Sequence, residues 1–234
     1  MESFVLPMPK KSFPPAAARD GYHHGALRKA LIDASEALLA ERGLEGFSLR
    51  EVARRSGVSP AAPAHHFGDA AGLLRVVATL AFEGLTVALE AGNARGKGDP
   101  VARLREQGVG YVGFALGYPG RFGLMFRPDI EKDDALERSS LATFAVLEWG
   151  VRDLYGVSAS KPLTPTQWNA LLSLWSVVHG FAQLALAGNF DRFELAGGRE
   201  ALLRQVLAPM LDQHLAALKP AATRGRSRTK GVRA

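Results

Sequence analysis

Residues 46–74, GFSLREVARRSGVSPAAPAHHFGDAAGLL, constrain the fold more than any other stretch of this chain, because they crowd the start and stop signals of two helices together. Ser48 and Glu51 have the spacing of a capping box, and Phe47 and Val52 take the flanking positions of a hydrophobic staple. A helix is therefore expected from Leu49, with Val52 and Ala53 facing inward. It should end after about two turns, where Gly57 offers a left-handed backbone, and Val58 should plug the small core. Ser59 is a good N-cap and Pro60 a good first residue, so a second helix is expected a few residues on. Pro63 falls where that helix would form its first hydrogen bond and should shorten or distort it. Two short helices across so tight a turn make a helix-turn-helix, although the same local pattern fits a helical hairpin inside an ordinary bundle.

The flanking sequence is helical too. Ala26, Leu27, Ala30, Leu31, Ala34, Leu38 and Leu39 recur at helical spacing up to Gly43, one amphipathic helix with a stop. Further helical patterns span 70–91, 101–116, 135–154, 166–187 and 199–218, separated by GKGDP, YPGR, SASKPLTP and AGNFDRF. No alternating strand pattern interrupts them, so the expected class is all-α.

At 234 residues and 47% hydrophobic content, the chain can bury one large core or two smaller ones. It contains no cysteine, which excludes disulfides, thiolate metal sites and cysteine nucleophiles and suits a reducing cytoplasm. The first twenty residues lack the apolar core of a signal peptide. The net charge of +6 is unevenly spread: Lys and Arg number 10 against 8 acidic residues over 1–75, 13 against 15 over 76–218, and 6 against none over 219–234. The last segment reads as a disordered basic tail, either solubilising or attracting phosphate.

Thr164–Asn189 carries no Asp, Glu, Lys or Arg over 26 residues, long enough to span a bilayer. Its Gln167, Asn169, Ser173, Ser176, His179 and Gln183, and the lack of closely flanking basic clusters, favour a helix buried on two faces instead. No membrane partner is expected.

The run from Tyr22 to Leu85 resembles the TetR/AcrR family of transcriptional regulators: a helix ending in ERG, the FSLREVARRSGVS run, HHF and a following Leu-Leu. The resemblance implies a double-stranded DNA operator as partner, with Ser59–His66 as the recognition helix in the major groove and Ser48 and Arg50 close by. Ser59, His65 and His66 are that helix's polar side chains, while Ala61 and Ala62 offer only methyl contacts to thymine. Arg50 is the leading base-reading candidate, since a guanidinium binds guanine in bidentate fashion; its bland role is a solvated helix residue. Lys10, Lys11 and Arg19 are arm candidates for phosphate or the minor groove. Where the family usually carries a tyrosine and a lysine that contact phosphates, this chain has Ala64 and Ala70.

A second resemblance lies in SLWSVVHGFAQLAL, where Trp175-x-x-x-His179-Gly180 looks like the W-H-G signature of one group of TetR-family C-terminal domains. Trp175 and His179 share a helix face, as core packing or as part of a ligand site. With Phe114, Phe122, Met125, Phe126, Phe144 and Trp149 they suit a small apolar ligand. Phe122, Phe126, Phe144, Trp149, Trp175 and His179 are the ligand-site candidates, and Gly110, Gly113 and Gly117 leave room for close packing or a cavity. The resemblance also implies a homodimer through the last two long helices, a palindromic operator, and a repressor released by ligand. The expected organisation is a flexible basic arm (1–21), a helix-turn-helix DNA-binding domain of three helices (22–85), a helical ligand-binding and dimerisation domain (86–218) and the basic tail.

Other functions fare poorly. No nucleophile elbow, phosphate loop or zinc-protease helix appears, so no catalytic residue and no cofactor is expected. The pairs His23-His24 and His65-His66 each supply one convenient ligand at most, so no metal site is expected. The remaining alternative is a dimeric small-molecule-binding protein with weakened or non-specific DNA binding, suggested by Ala64 and Ala70.

Overall fold

The computed structural model describes residues 17–193 and 195–218, with side chains from Gly25 onward. Lys10, Lys11, Arg19 and the tail from Lys219 fall outside those side chains. The described residues are helical, without a strand, and the chain divides between Leu73 and Leu74 into two compact units.

The first unit holds α1 (Ala17–Arg42), α2 (Leu49–Arg55), α3 (Ala62–Phe67) and the start of α4 (Ala70–Arg95). Leu31, Ile32, Leu38 and Leu39 of α1, Val52 and Ala53 of α2, Pro63 of α3 and Leu73 form its buried core. Gly57, at φ +68°, lets the chain leave α2, with the Val58 N–H reaching back to the Ala53 carbonyl at 3.1 Å, the closure expected of a left-handed helix end.

The second unit holds the rest of α4 with α5 (Pro100–Gly117), α6 (Pro119–Met125), α7 (Asp134–Tyr155) and α8 (Pro165–Leu186). Beyond a 3₁₀ turn at Asp191–Phe193 come α9 (Gly198–Ala201), a π-helical Leu202–Leu207 and α10 (Ala208–Leu218). Asp99, Asp133 and Thr164 cap α5, α7 and α8 through their side-chain oxygens, and Gln167 completes a capping box at Thr164. Helix α6 occupies a stretch that reads as a turn in sequence: Pro119 stands at its start, where the missing N–H costs nothing, while two glycines mask its helical pattern. The π-helical turns precede Pro209, which has no N–H for the Gln205 carbonyl and would clash with it in a regular helix.

Helices α4 and α5 approach backbone to backbone. A Cβ on Gly92 would lie 2.5 Å from the Glu106 carbonyl oxygen, one on Gly96 2.5 Å from Arg103 Cα, and one on Gly110 2.6 Å from the Ala88 carbonyl oxygen. Gly110 therefore serves close packing, and the same holds for Gly117 against the Arg199 guanidinium, 3.1 Å from its virtual Cβ. Glu106 is buried in this seam. Burial opposes its ionisation, but Arg204 at 2.9 Å and Arg95 at 3.1 Å overcome it and hold the carboxyl below its ordinary range. Two helices, 70–95 and 165–186, are long and apolar enough to cross a membrane by length and composition. In α8 the apolar residues Ala170, Leu171, Leu174, Val178, Phe181 and Ala182 are instead buried within the unit.

Candidate functional site

In the first unit, α2 begins as its sequence demands: Ser48 is the N-cap, and its hydroxyl accepts the Glu51 N–H at 3.3 Å. The reciprocal half of the expected capping box is absent. The Glu51 carboxylate is bound instead by Arg54 at 2.8 Å and by Arg55 at 3.0 Å, whose guanidinium also reaches Glu41 on α1 at 2.6 Å. Two charged donors outcompete one backbone N–H. Their hydrogen bonds bring the Glu51 carboxyl down to about 2. Two of the three arginines of α2 are thereby engaged within the unit. Arg50 is exposed and makes no ion pair with any described residue.

The second helix starts later than Ser59 and Pro60 suggest. Its first residue is Ala62 and its N-cap Ala61, with no side-chain cap. In a helix capped at Ser59 the first carbonyl would need an N–H from residue 63, and Pro63 has none. The chain instead makes a turn, with the Ala62 N–H on the Ser59 carbonyl at 3.0 Å, and begins the helix so that Pro63 falls in its first turn and is buried. Arg28 of α1 lies over the Phe67 ring, 5.2 Å from its centroid, and secures the far end.

Of the candidates, Ser48, Arg50, Ser59, Ala61 and His65 are exposed, while Ala62 and His66 are half-buried. Ala61, Ala64 and His65 share one outward face of the α3 turn, since positions three and four apart are neighbours on a helix. That face presents two methyl groups and one imidazole. Ala70 is the first residue of α4 and half-buried, and the neighbouring Asp69 caps the helix through the Gly72 N–H at 2.7 Å.

The second unit encloses a cavity of about 480 Å³. Its wall is built by α4 (Phe82, Leu85, Leu89), α5 (Leu104, Gln107, Gly108, Tyr111), the end of α6 and the following segment (Met125 to Lys132), α7 (Ser140 to Leu147) and α8 (Leu174, Trp175, Val178). Phe126, Phe144 and Trp175 stand in this wall as candidates read from sequence. Phe122 and His179 stand behind it: Phe122 is 1% exposed, and the His179 ring packs on Phe126 at 4.7 Å and Phe122 at 5.5 Å between centroids. Trp149 departs from the expectation altogether. It is 55% exposed and meets the Arg152 guanidinium at 5.9 Å, because it lies two residues beyond Leu147 and so turns away from the cavity side of α7.

Trp175 and His179, one turn apart on α8, converge on Tyr111 of α5. The Tyr111 hydroxyl is 2.9 Å from His179 Nδ1, and Trp175 also hydrogen-bonds it. The Gln183 amide nitrogen lies 3.3 Å from His179 Nε2; with that amide donating, Nε2 accepts, and the imidazole proton stands on Nδ1 and is donated to the Tyr111 oxygen. Burial raises the Tyr111 phenol, against the opposing hydrogen bond from Trp175, and burial lowers His179, so both rings are neutral at physiological pH. Thr143 shares a hydroxyl contact of 2.7 Å with Thr86 and lies 3.0 Å from the Phe82 carbonyl. Tyr111, Gln107 and Thr143 escaped the sequence reading; the legible trace of the first two is their spacing of four residues, which sets them on one face of α5.

Residues 31–77 match the family model described as bacterial regulatory proteins, tetR family, and residues 104–210 match the model described as tetracyclin repressor-like, C-terminal domain. The HTH-type transcriptional regulator BetI of Burkholderia ambifaria (strain MC40-6) is 36% identical over 78 residues, 33% of this chain and 40% of that protein. The BetI of Burkholderia thailandensis is 37% identical over 78 residues, with the same coverage. The chain thus spans two fifths of the length of these curated relatives. A solved structure of a protein with unknown function from Rhodococcus sp. RHA1 is 30% identical, with a TM-score of 0.69, covering 85% of this chain and 98% of that one. The TetR family transcriptional regulator PfmR from Thermus thermophilus, 18% identical with a TM-score of 0.52 over 84% of this chain and 97% of its own, shares the fold. With a helix-turn-helix in the first unit, an all-helical second unit, and family models matched in both, the chain belongs to the TetR family of bacterial regulatory proteins.

Proposed function

We propose that this protein is a cytoplasmic, homodimeric DNA-binding transcriptional regulator, a repressor that a small apolar ligand releases from a palindromic operator. The cavity of about 480 Å³, walled by aromatic and aliphatic side chains, carries this reading, because an apolar space of that size inside a helical domain suits a small molecule. The exposed, unpaired Arg50 at the start of α2 and the outward face of α3 suit the major groove. Trp168, Leu172 and Leu184 on α8 and Val206 on the last helix are large apolar side chains left exposed on a single chain, as a two-fold interface requires. A ligand that binds better to the dimer with misplaced reading heads lowers operator affinity by the same coupling free energy.

The test is fluorescence anisotropy with duplexes from the DNA flanking the protein's own gene and a scrambled duplex, across a salt series. Preferential binding that survives physiological salt is the expected result. Arg50→Glu should weaken specific binding about 5- to 150-fold, the equivalent of losing one bidentate guanine contact; unchanged affinity removes Arg50 from base reading. Leu172→Glu should convert the dimer to monomer in sedimentation velocity, because a carboxylate buried without a partner is costly. A second reading is favoured by one feature, the methyl group of Ala64 exposed on α3: a ligand-binding dimer with weak DNA affinity, for which both duplexes would bind equally and with steep salt dependence.

A further inference from the structure

We propose that the second unit carries another small-molecule site, apart from the cavity: an open groove where the end of α4, the start of α5 and α7 meet, which takes a planar aromatic molecule bearing an anionic group. Asn93 of α4, Lys97 in the turn that follows, Arg103 of α5 and Trp149 of α7 line it. The rest of the lining is small, Ala94, Gly98 and Gly150, and leaves the groove open. None of these residues belongs to the wall of the cavity.

The aromatic part of the class follows from Trp149. More than half of its indole is exposed, so the ring contributes little to the core and presents a broad flat apolar surface beside the groove. A second ring laid on such a surface gains contact area and a favourable quadrupole geometry that a saturated ring lacks. The anionic part follows from the polar lining. Its charged residues are Lys97 and Arg103, both cationic, and no carboxylate lines the groove. Lys97 is exposed and makes no ion pair with any described residue, whereas Arg103 is joined at 2.9 Å to Asp153, a half-exposed residue of α7. The Asn93 oxygen is taken by the Gln107 amide, so what Asn93 has left to offer is its N–H donors. An anion in the groove therefore meets opposite charge and donors, while a cation meets neither. The indole is engaged by one guanidinium, that of Arg152 at 5.9 Å, which is itself held by Glu148 at 2.7 Å and by the Ser158 and Lys161 carbonyls.

The three tryptophans of the chain allow groove and cavity to be told apart, since Trp149 lines one and Trp175 the other. The full isotope-labelled chain is titrated with 2-naphthoate while the indole N–H signals are followed by NMR, the Trp149 signal being identified by its loss in Trp149→Ala. That signal should shift and saturate with a Kd of about 1 mM, the affinity fitting a ligand of this size. On the same signal, uncharged 2-naphthylmethanol should bind about threefold more weakly for want of the charge, and decahydro-2-naphthoate about fivefold more weakly for want of the flat ring. Lys97→Gly removes the ammonium without strain, because Lys97 stands at φ +43°, where glycine is at ease; it should weaken naphthoate about threefold and leave the alcohol unchanged. A Trp149 signal that does not move, or a shift confined to Trp175, overturns the proposal. Equal affinity for naphthoate and the alcohol, or no loss in Lys97→Gly, overturns it on charge, and equal affinity for the saturated acid overturns it on aromaticity.

Discussion

Phe122→Ala is expected to lower the unfolding free energy by about 3–5 kcal/mol, as truncation of a fully buried phenylalanine does. In a chain of this size that corresponds to a drop in melting temperature of roughly 6–20 °C. The ring is 1% exposed on α6 and packs edge-to-face on Tyr111 at 5.6 Å and Phe126 at 5.6 Å, and beside His179 at 5.5 Å. Its removal therefore takes away the support behind the cavity wall and loosens the Tyr111–His179 hydrogen bond. Trp149→Ala is the matched control: the indole is mostly exposed, and its loss should change stability by no more than about 0.5 kcal/mol. Thermal melts of the two variants decide the matter. Equal losses would contradict the placement of Phe122 in the core and Trp149 on the surface.

The second large effect lies in the α4–α5 seam. Gly92→Ala should cost about 1–3 kcal/mol net, because overpacking outweighs the better helix propensity of alanine. The added methyl would stand 2.5 Å from the Glu106 carbonyl oxygen, 2.7 Å from its carbon and 2.8 Å from the Gln107 nitrogen. All three are backbone atoms of α5, so no side-chain rotation relieves the clash and the helices must separate. Gly123→Ala makes the same chemical change on α6 where a Cβ meets nothing within 4 Å, and should be neutral or slightly stabilising. A variant that melts like wild type would refute the close approach.

The helix-turn-helix is legible because its signals are local. Ser48 caps α2 as its spacing implies, Gly57 takes the left-handed conformation, and Pro63 delays α3. The rule that misplaced the start of α3 was also local: Ser59 and Pro60 are good opening residues, but the missing N–H of Pro63 prevails. The long helices emerge from apolar periodicity within a residue or two at most ends, except that Gly120 and Gly123 hide α6 and Pro209 sets a π-helical stretch in the last helix.

The cavity divides along a different line. An aromatic-rich sequence implies an apolar lining, and Phe126, Phe144 and Trp175 are in it. Whether an aromatic faces the cavity, stands behind it or turns to solvent depends on the rotation of each helix against its neighbours, which separates Phe126 from Phe122 and Phe144 from Trp149. Composition and spacing alone determined an all-helical chain with a helix-turn-helix near its start, since caps, turns and periodicity act over a few residues. Only the tertiary structure decided that Gln107 of α5 meets Asn93 of α4 beside Gly150 of α7, because that convergence is set by how closely three helices pack, and the glycines that permit the approach have no side chain to announce it.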